Sequence, residues 1–319
     1  MNKLRYFIGI FFVLGFSFPS LVFSYQSDER ESVIQETLDK FKEEPSSLEI
    51  TPAEQEFLEK ELSSGLFTTK QTIIAKTLKD ITVEVALRLG YIAGDTTYNF
   101  NHDTSELKFP FDNWMGGGSL EVGYKRLFFN AQAWAPISKE TGSKMTDKDW
   151  IQGILISSTE SNQDIDGYIL DTNVRYNFYD RVLASPNESL ALIASDKIRV
   201  GVLVGYRYER FDFDIYDIYD TIAGTASHLG EKVLTYQIHY KLPYLGIAAD
   251  VLRDRFKFYA DLKYSLFPRS WHIDNHLLRA LTLHGDYDEP KHAFMFSAEG
   301  DWRFTRNWHF SLGLDGTFV

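Results

Sequence analysis

Ile81-Thr82-Val83-Glu84-Val85-Ala86-Leu87-Arg88-Leu89-Gly90-Tyr91 decides the fold. Every second residue is large and apolar, and the residues between are polar, charged or small. That period of two belongs to a strand, whose successive side chains leave on opposite faces. The pattern returns for the rest of the chain. Tyr168, Leu170, Val174, Tyr176 and Phe178 alternate with Asp171, Asn173, Arg175 and Asn177. Phe256, Phe258, Ala260, Leu262 and Tyr264 alternate with Lys257, Asp261 and Lys263. Phe294, Phe296, Ala298 and Trp302 alternate with Ser297, Glu299, Asp301 and Arg303, and Trp308, Phe310, Leu312 and Leu314 with His309, Ser311 and Asp315.

A soluble antiparallel sandwich would also alternate, with its polar face in water. Two features favour a transmembrane barrel. Aromatic residues gather toward the strand ends, and the strands are long enough to cross a bilayer at a tilt. A closed sheet satisfies every backbone hydrogen bond, which lipid cannot do. The charged face then lines the lumen, where acids and bases can pair. The fold expected is therefore all-β, an antiparallel transmembrane β-barrel over residues 80–319.

Upstream the chain changes character. Residues 1–24 read as a signal peptide: Lys3 and Arg5, then the apolar Phe7–Phe16 run, then Val22 and Ser24 at the positions a signal peptidase reads. Ser17, Pro19 and Ser20 interrupt the run too early for a membrane anchor. Residues 25–79 are acid-rich with helix-like spacing, and Thr51-Pro52-Ala53-Glu54 makes a good helix start, so a short helical periplasmic extension is expected there. The chain has no cysteine, which excludes disulfides, thiolate metal sites and thiol nucleophiles. A net charge of −12 argues against nucleic acid as a partner.

Connection lengths orient the barrel. Lys125-Arg126, Arg253-Asp254-Arg255 and Thr305-Arg306-Asn307 are tight turns, and long polar connections are expected near 95–105, 136–164, 216–231 and 269–288. Short turns face the periplasm and long loops face outside in such barrels. Strands are expected near 81–94, 106–124, 127–137, 165–180, 198–214, 232–252, 256–268, 289–304 and 308–319. Nine is an odd count where an even one is the rule, so either one hairpin is miscounted or a tenth strand is missing, and the strand pattern running to Val319 favours the second.

Two of the long connections share the outer rim. One holds Met145-Thr146-Asp147-Lys148-Asp149-Trp150 and the other Trp271-His272-Ile273-Asp274-Asn275-His276. Either alone reads as a solvated turn. Together, two carboxylates facing an Asp–His couple could hold and deprotonate a water molecule.

These segments resemble the omptin family of outer-membrane proteases. Met145–Trp150 resembles that family's Met-x-Asp-x-Asp-Trp loop. Lys241-Leu242-Pro243-Tyr244-Leu245-Gly246 resembles its Lys-Met-Pro-Tyr-Ile-Gly strand. Lys263-Tyr264-Ser265 precedes Asp274 and His276 at the family's spacing. The resemblance implies a ten-stranded barrel in the bacterial outer membrane, with an endopeptidase site on the external rim and no covalent intermediate. It implies that Asp147 and His276 flank the attacking water, that Asp274 orients His276, and that Asp149 supports Asp147. No cofactor is implied. Peptide or protein is the expected substrate, outer-membrane lipid or lipopolysaccharide the expected companion, and a monomer the expected state.

The substrate pocket departs from the family. Where it places two carboxylates, this chain has Tyr98 and His272, and where it places a Glu it has Arg269. Little preference for Arg or Lys before the scissile bond is therefore expected. Of the lipopolysaccharide contacts Tyr206 and Arg210 match, whereas a second Arg is replaced by His239. Two other readings stay open. His272, His276, His284 and His292, with Asp274, Asp286 and Asp288, could hold a transition metal, although their spacing fits no zinc pattern. A barrel without catalysis (a porin, an adhesin or an inactive relative) is the main alternative, because fold does not fix chemistry.

Overall fold

The computed structural model describes residues 12–16, 81–100, 104–182, 197–253, 255–287, 292–303 and 309–319. The helical extension expected over 25–79 and most of the expected signal peptide lie outside the described residues.

The strands are β1 (Phe12–Phe16), β2 (Ile81–Phe100), β3 (Ser105–Tyr124), β4 (Leu127–Pro136), β5 (Met145–Ile151), β6 (Ile154–Val182) and β7 (Lys197–Asp220). They continue with β8 (Thr225–Arg253), β9 (Phe256–Ser265), β10 (Arg269–His276), β11 (Leu281–Tyr287), β12 (Ala293–Arg303) and β13 (His309–Phe318). Pairing runs β8-β7-β6-β4-β3-β2-β1-β13-β12-β9, and β9 pairs back to β8, so the sheet closes into an antiparallel barrel.

The seam explains the odd strand count. Nine strands of alternating direction leave β2 and β13 pointing the same way, so they cannot form an antiparallel ladder with each other. Between them lies β1, antiparallel to both, with Leu14 opposite Leu89 on one side and Leu312 on the other. This segment belongs to the expected signal peptide. Cleavage after Ser24 would remove it, and the seam would then need another antiparallel strand.

Alternation sorts the side chains as the period predicts. Leu87, Phe129, Val174, Val204, Ile247 and Leu262 stand exposed on the outer face, the apolar band that lipid requires. Ion pairs fill the lumen. Arg175 and Arg199 both reach Asp250, at 2.9 and 2.6 Å. Arg207 reaches Glu209 at 2.6 Å and Asp315 at 2.9 Å, and Arg88 reaches Glu299 at 2.9 Å. Above this charged layer the interior turns apolar. Phe111 packs edge-on to Phe211 at 4.5 Å, and Phe109 lies 5.0 Å from Phe213.

Among the described residues most of the long polar connections are strand, while 137–144 stays irregular. Residues 95–100, 145–151, 154–164, 216–220, 225–231, 269–276 and 281–287 extend the strands beyond the membrane band, and the turns between β5 and β6, β7 and β8, and β10 and β11 span only two to four residues. Gln152 and Gly153, at φ 53° and 81°, make the two-residue hairpin turn in which both central residues take positive φ. In the next hairpin, Asp220 Oδ1 accepts hydrogen bonds from the N–H groups of Ile222 and Ala223, both at 2.8 Å. Outside lipid a ladder needs no apolar face to persist, so polar residues there do not signal a loop. Proline marks where two of the ladders break. Pro136 ends β4 and Pro268 separates β9 from β10, since proline cannot donate to the ladder. Beyond each break the chain returns to the sheet as a new strand, and these two strands, β5 and β10, carry the candidate site.

Candidate active site

β5 lies between β3 and β6, with Asp147 opposite Leu107 and Thr159, and Asp149 opposite Ser105 and Ser157. The two aspartates are two residues apart on one strand and so share a face. β10 pairs with β8, placing Asp274 opposite Tyr236 and His276 opposite Leu234. Asp274 and His276 share a face for the same reason. Both faces turn inward at the same rim.

Asp274 is 5% exposed, and its Oδ2 lies 3.1 Å from His276 Nε2. Burial raises the Asp274 carboxyl above its ordinary value, and the charge and hydrogen bond of His276 oppose that rise. Its Oδ1 is buried and takes no hydrogen bond among the described residues. With Nε2 directed to Asp274, the Nδ1 of His276 is the nitrogen left for other chemistry.

Asp147 senses the opposite strand. Burial raises its carboxyl to about 6, the like charge of Asp149 adds to the rise, and His276 and Arg279 pull it down while Asp274 pushes it up. A carboxyl whose charge responds to His276, Asp274 and Arg279 shares one mouth with them. Such a set can hold a water between a carboxylate and an imidazole and move a proton between them. Arg279 stands three residues beyond His276, in the turn that joins β10 to β11, and no sequence motif marks it.

The two positions expected to receive a substrate side chain also meet. Tyr98 comes from β2 and His272 from β10, and their rings lie 5.6 Å apart. Tyr236 joins them, stacked on His272 at 5.3 Å and 5.4 Å from Tyr98. Sequence reading missed Tyr236, because its place beside Asp274 follows from the β8–β10 register, which no motif encodes.

Arg269 is a correction. It lies on β10 an odd number of residues from His272, Asp274 and His276, so its exposed side chain leaves by the outer face, beside Lys241 of β8. Arg269 therefore does not line the pocket, where the resemblance to the family places it. Tyr206 and Arg210 also face outward. Tyr206 is 41% exposed and Arg210 is paired with Asp212 at 2.9 Å. His239 stands beside them, stacked on Trp271 at 4.1 Å and bonded through Nδ1 to the Tyr208 hydroxyl at 2.7 Å.

The four histidines considered as metal ligands scatter. His272 faces inward, His284 is exposed opposite Ile273, and His292 bonds the Tyr264 hydroxyl at 2.6 Å. Asp288 lies outside the described residues.

Comparison with known proteins agrees with this architecture. The Omptin family model matches residues 79–317. Outer membrane protease IcsP of Shigella flexneri is 25% identical over 228 residues, covering 66% of this chain and 70% of that protein. Outer membrane protease OmpP of Escherichia coli (strain K12) is 27% identical over 179 residues, covering 53% of this chain and 51% of that protein. The crystal structure of outer membrane protease OmpT from Escherichia coli superposes with a TM-score of 0.57 at 15% identity, over 74% of this chain and 94% of that one. The curated matches therefore span from about half to about 70% of those relatives' lengths, and the OmpT likeness speaks for the fold alone. With a closed antiparallel barrel and a family match from residue 79 to residue 317, the chain belongs to the omptin family and its place is the bacterial outer membrane.

Proposed function

We propose that this barrel is an endopeptidase that hydrolyses peptide bonds at its external rim with an activated water. The observation that carries the reading is that two separate strands bring Asp147 and His276 to one inward-facing mouth, where Tyr98 lies 5.6 Å from His272 of β10 and pairs in register with Leu107, which stands opposite Asp147 of β5. His276 takes a proton from water through Nδ1 while its Nε2–H donates to Asp274. Asp274 thereby fixes the tautomer and steadies the imidazolium that forms. Asp147 holds the water from the other side, and burial, with like-charge repulsion from Asp149, lifts its carboxyl toward neutrality. The hydroxide adds to the scissile carbonyl, and the imidazolium returns its proton to the departing amine, so no covalent bond to the protein forms.

Tyr206 and Arg210, on the outer face, are where outer-membrane lipid or lipopolysaccharide would be held. His239 offers a weaker anion contact than an arginine, so a looser lipid requirement is expected.

The test is cleavage of a diverse peptide mixture by the refolded protein, read by mass spectrometry. Asp147→Ala and His276→Ala should each abolish cleavage while the barrel still inserts. Full activity in both variants would remove the assignment. The second reading, a binding barrel without turnover, is favoured by the loss of both pocket carboxylates at Tyr98 and His272, and the same mixture decides it: no cleavage by the wild-type protein would leave that reading standing.

A further inference from the structure

Below the phenylalanine layer the barrel interior opens into a cavity of about 100 Å³. Trp134 and Ile169 line its upper end and belong to the same apolar cluster as Phe111 and Phe211, so that cluster roofs it. At the other end, beside the short turns, the Glu84 side chain is 31% exposed, which marks the way in.

Seven carboxylates and four cationic side chains line this space. Each cation accounts for one carboxylate. Arg88 holds Glu299 at 2.9 Å, and Lys257 stands 4.0 Å from Glu84. Lys263 lies 3.2 Å from Asp171, and Arg207 holds Asp315 at 2.9 Å. Glu121, Asp261 and Asp301 are left over. The next groups outward do not correct the imbalance: the charge of Glu209, on Arg207, offsets the surplus of the two arginines that share Asp250.

The ladders place these three acids at two levels. Glu121 stands directly opposite Glu84, a like-charged cross-strand pair that opposes folding. Asp301 stands opposite Lys257 and takes a hydrogen bond from Ser311, so the single charge of Lys257 faces several carboxylates. Asp261 lies four residues further along β9, about 13 Å of strand. It is 5% exposed, Tyr259 and Lys263 reach only its Oδ2, and its Oδ1 is buried with no hydrogen bond among the described residues. A buried carboxylate oxygen costs free energy until a donor reaches it.

Acids spread in this way do not suit a metal ion, and no three His, Asp or Glu side chains converge on one point among the described residues. They suit a linear cation whose charges are separated. Between the two levels lies the ring of Tyr259, a surface for methylene groups. The cavity admits roughly eight water-sized groups, the size of a short aliphatic amine.

We propose that this cavity binds a linear aliphatic polyamine, with one ammonium held by Glu121 and Asp301 and another donating to Asp261 Oδ1. The site is at the far end of the bore from the Asp147–His276 mouth and does not rest on the peptidase reading. Its hydrogen bonds join charge to charge, and inside the barrel salt screens them less than it screens exposed pairs.

The test is titration of the refolded full-length barrel in neutral detergent with spermidine, read by calorimetry and by the urea midpoint of gel mobility. Saturable binding and a higher midpoint are expected, and magnesium chloride or sodium chloride at equal ionic strength should give neither. Glu121→Gln leaves the four pairs above intact and should bind at least about tenfold more weakly. Asp261→Asn should do the same, whereas Asp166→Asn, exposed on the outer face, should bind as the wild type does. Glu121→Lys supplies an ammonium from the protein itself, so it should abolish spermidine binding and raise the midpoint of the amine-free barrel. Binding that survives both Glu121→Gln and Glu121→Lys puts the amine on surface charge and overturns the proposal. Absence of saturable binding, or an equal response to magnesium, overturns it too. Should Asp261→Asn fail to fold, the two Glu121 variants decide alone.

Discussion

Asp274 Oδ2 lies 3.1 Å from Nε2 of His276, two residues along the same strand and on the same inward face. The couple is built by strand geometry alone, since residues i and i+2 of any strand share a face. In the proposed mechanism it leaves Nδ1 of His276 free to face the water that Asp147 holds. Asp274→Asn should keep the ring in place but let the amide favour the other tautomer. The expected result is a fall in kcat on the order of 10²-fold or more, the range for disabling a positioned acid–base group, with KM little changed. A loss confined to KM would mean that Asp274 binds substrate and does not orient the base.

Asp147 should give the protein a titration near pH 6. Its folded carboxyl is raised to about 6 from an ordinary 3.8, so the native state holds this proton more tightly than the unfolded chain does. The associated stability is fully present below pH 3.8 and is lost as pH rises through 6. Asp147→Asn cannot titrate, so its thermal midpoint should gain on the wild type between pH 4 and pH 7 and stay level with further base. In the wild type, kcat/KM should climb through an apparent pKa of about 6 as Asp147 ionises. A midpoint difference that does not change across this window would remove the buried, repelled carboxylate from the account.

Barrel interior and candidate site differ in how far they can be read without coordinates. Inside the lipid band the period of two is enforced by solvent on one side and hydrocarbon on the other. Glu84, Arg88, Asp171 and Arg175 therefore announce the lumen, and Leu87 and Val174 the outer face. Past the band both faces of a strand tolerate polar residues, and residues 145–164 and 269–287 lose the contrast that distinguishes strand from loop. Arg269 shows the consequence. Read as loop, it could belong to the pocket; on β10 its odd offset from His272 sends it outside. The Asp–His couple survives that ambiguity because an i, i+2 pair meets in a strand wherever the strand lies. Tyr236 does not, because its place depends on which strand is the neighbour and in what register.

Arg207 should be the costliest lumen residue to remove. Its guanidinium serves Glu209 at 2.6 Å and Asp315 at 2.9 Å, and Glu209 is fully buried. Arg207→Met keeps much of the volume but strands the Glu209 carboxylate, and breaking a buried pair from one side costs about 3–5 kcal/mol. Urea titration of the refolded barrel, followed by the gel mobility of the folded form, measures it. The surface pair Lys139–Asp166, at 2.7 Å but largely exposed, is the control. Lys139→Met should cost under about 1 kcal/mol, as exposed pairs do. Equal losses in the two variants would show that the lumen network contributes no more than surface charge.

The barrel should not conduct. A charged lumen in a closed sheet would by itself suit a pore, but the interior changes character on the way to the rim. Phe109, Phe111, Phe211 and Phe213 are each 2% exposed or less, and their rings touch across the bore at 4.5 to 5.6 Å. A hydrated ion crossing that layer would have to shed water with no polar partner in exchange, a cost far above thermal energy. Planar bilayers containing the wild-type protein should therefore show no steady current. Phe211→Ser with Phe213→Ser places hydroxyls and free volume in the seal, and a flickering conductance should appear once gel mobility shows that the variant still folds. Steady current through the unmodified barrel would put the diffusion channel back ahead of the peptidase, because a continuous water column would run beneath Asp147 and His276 and the phenylalanine layer could not be closed.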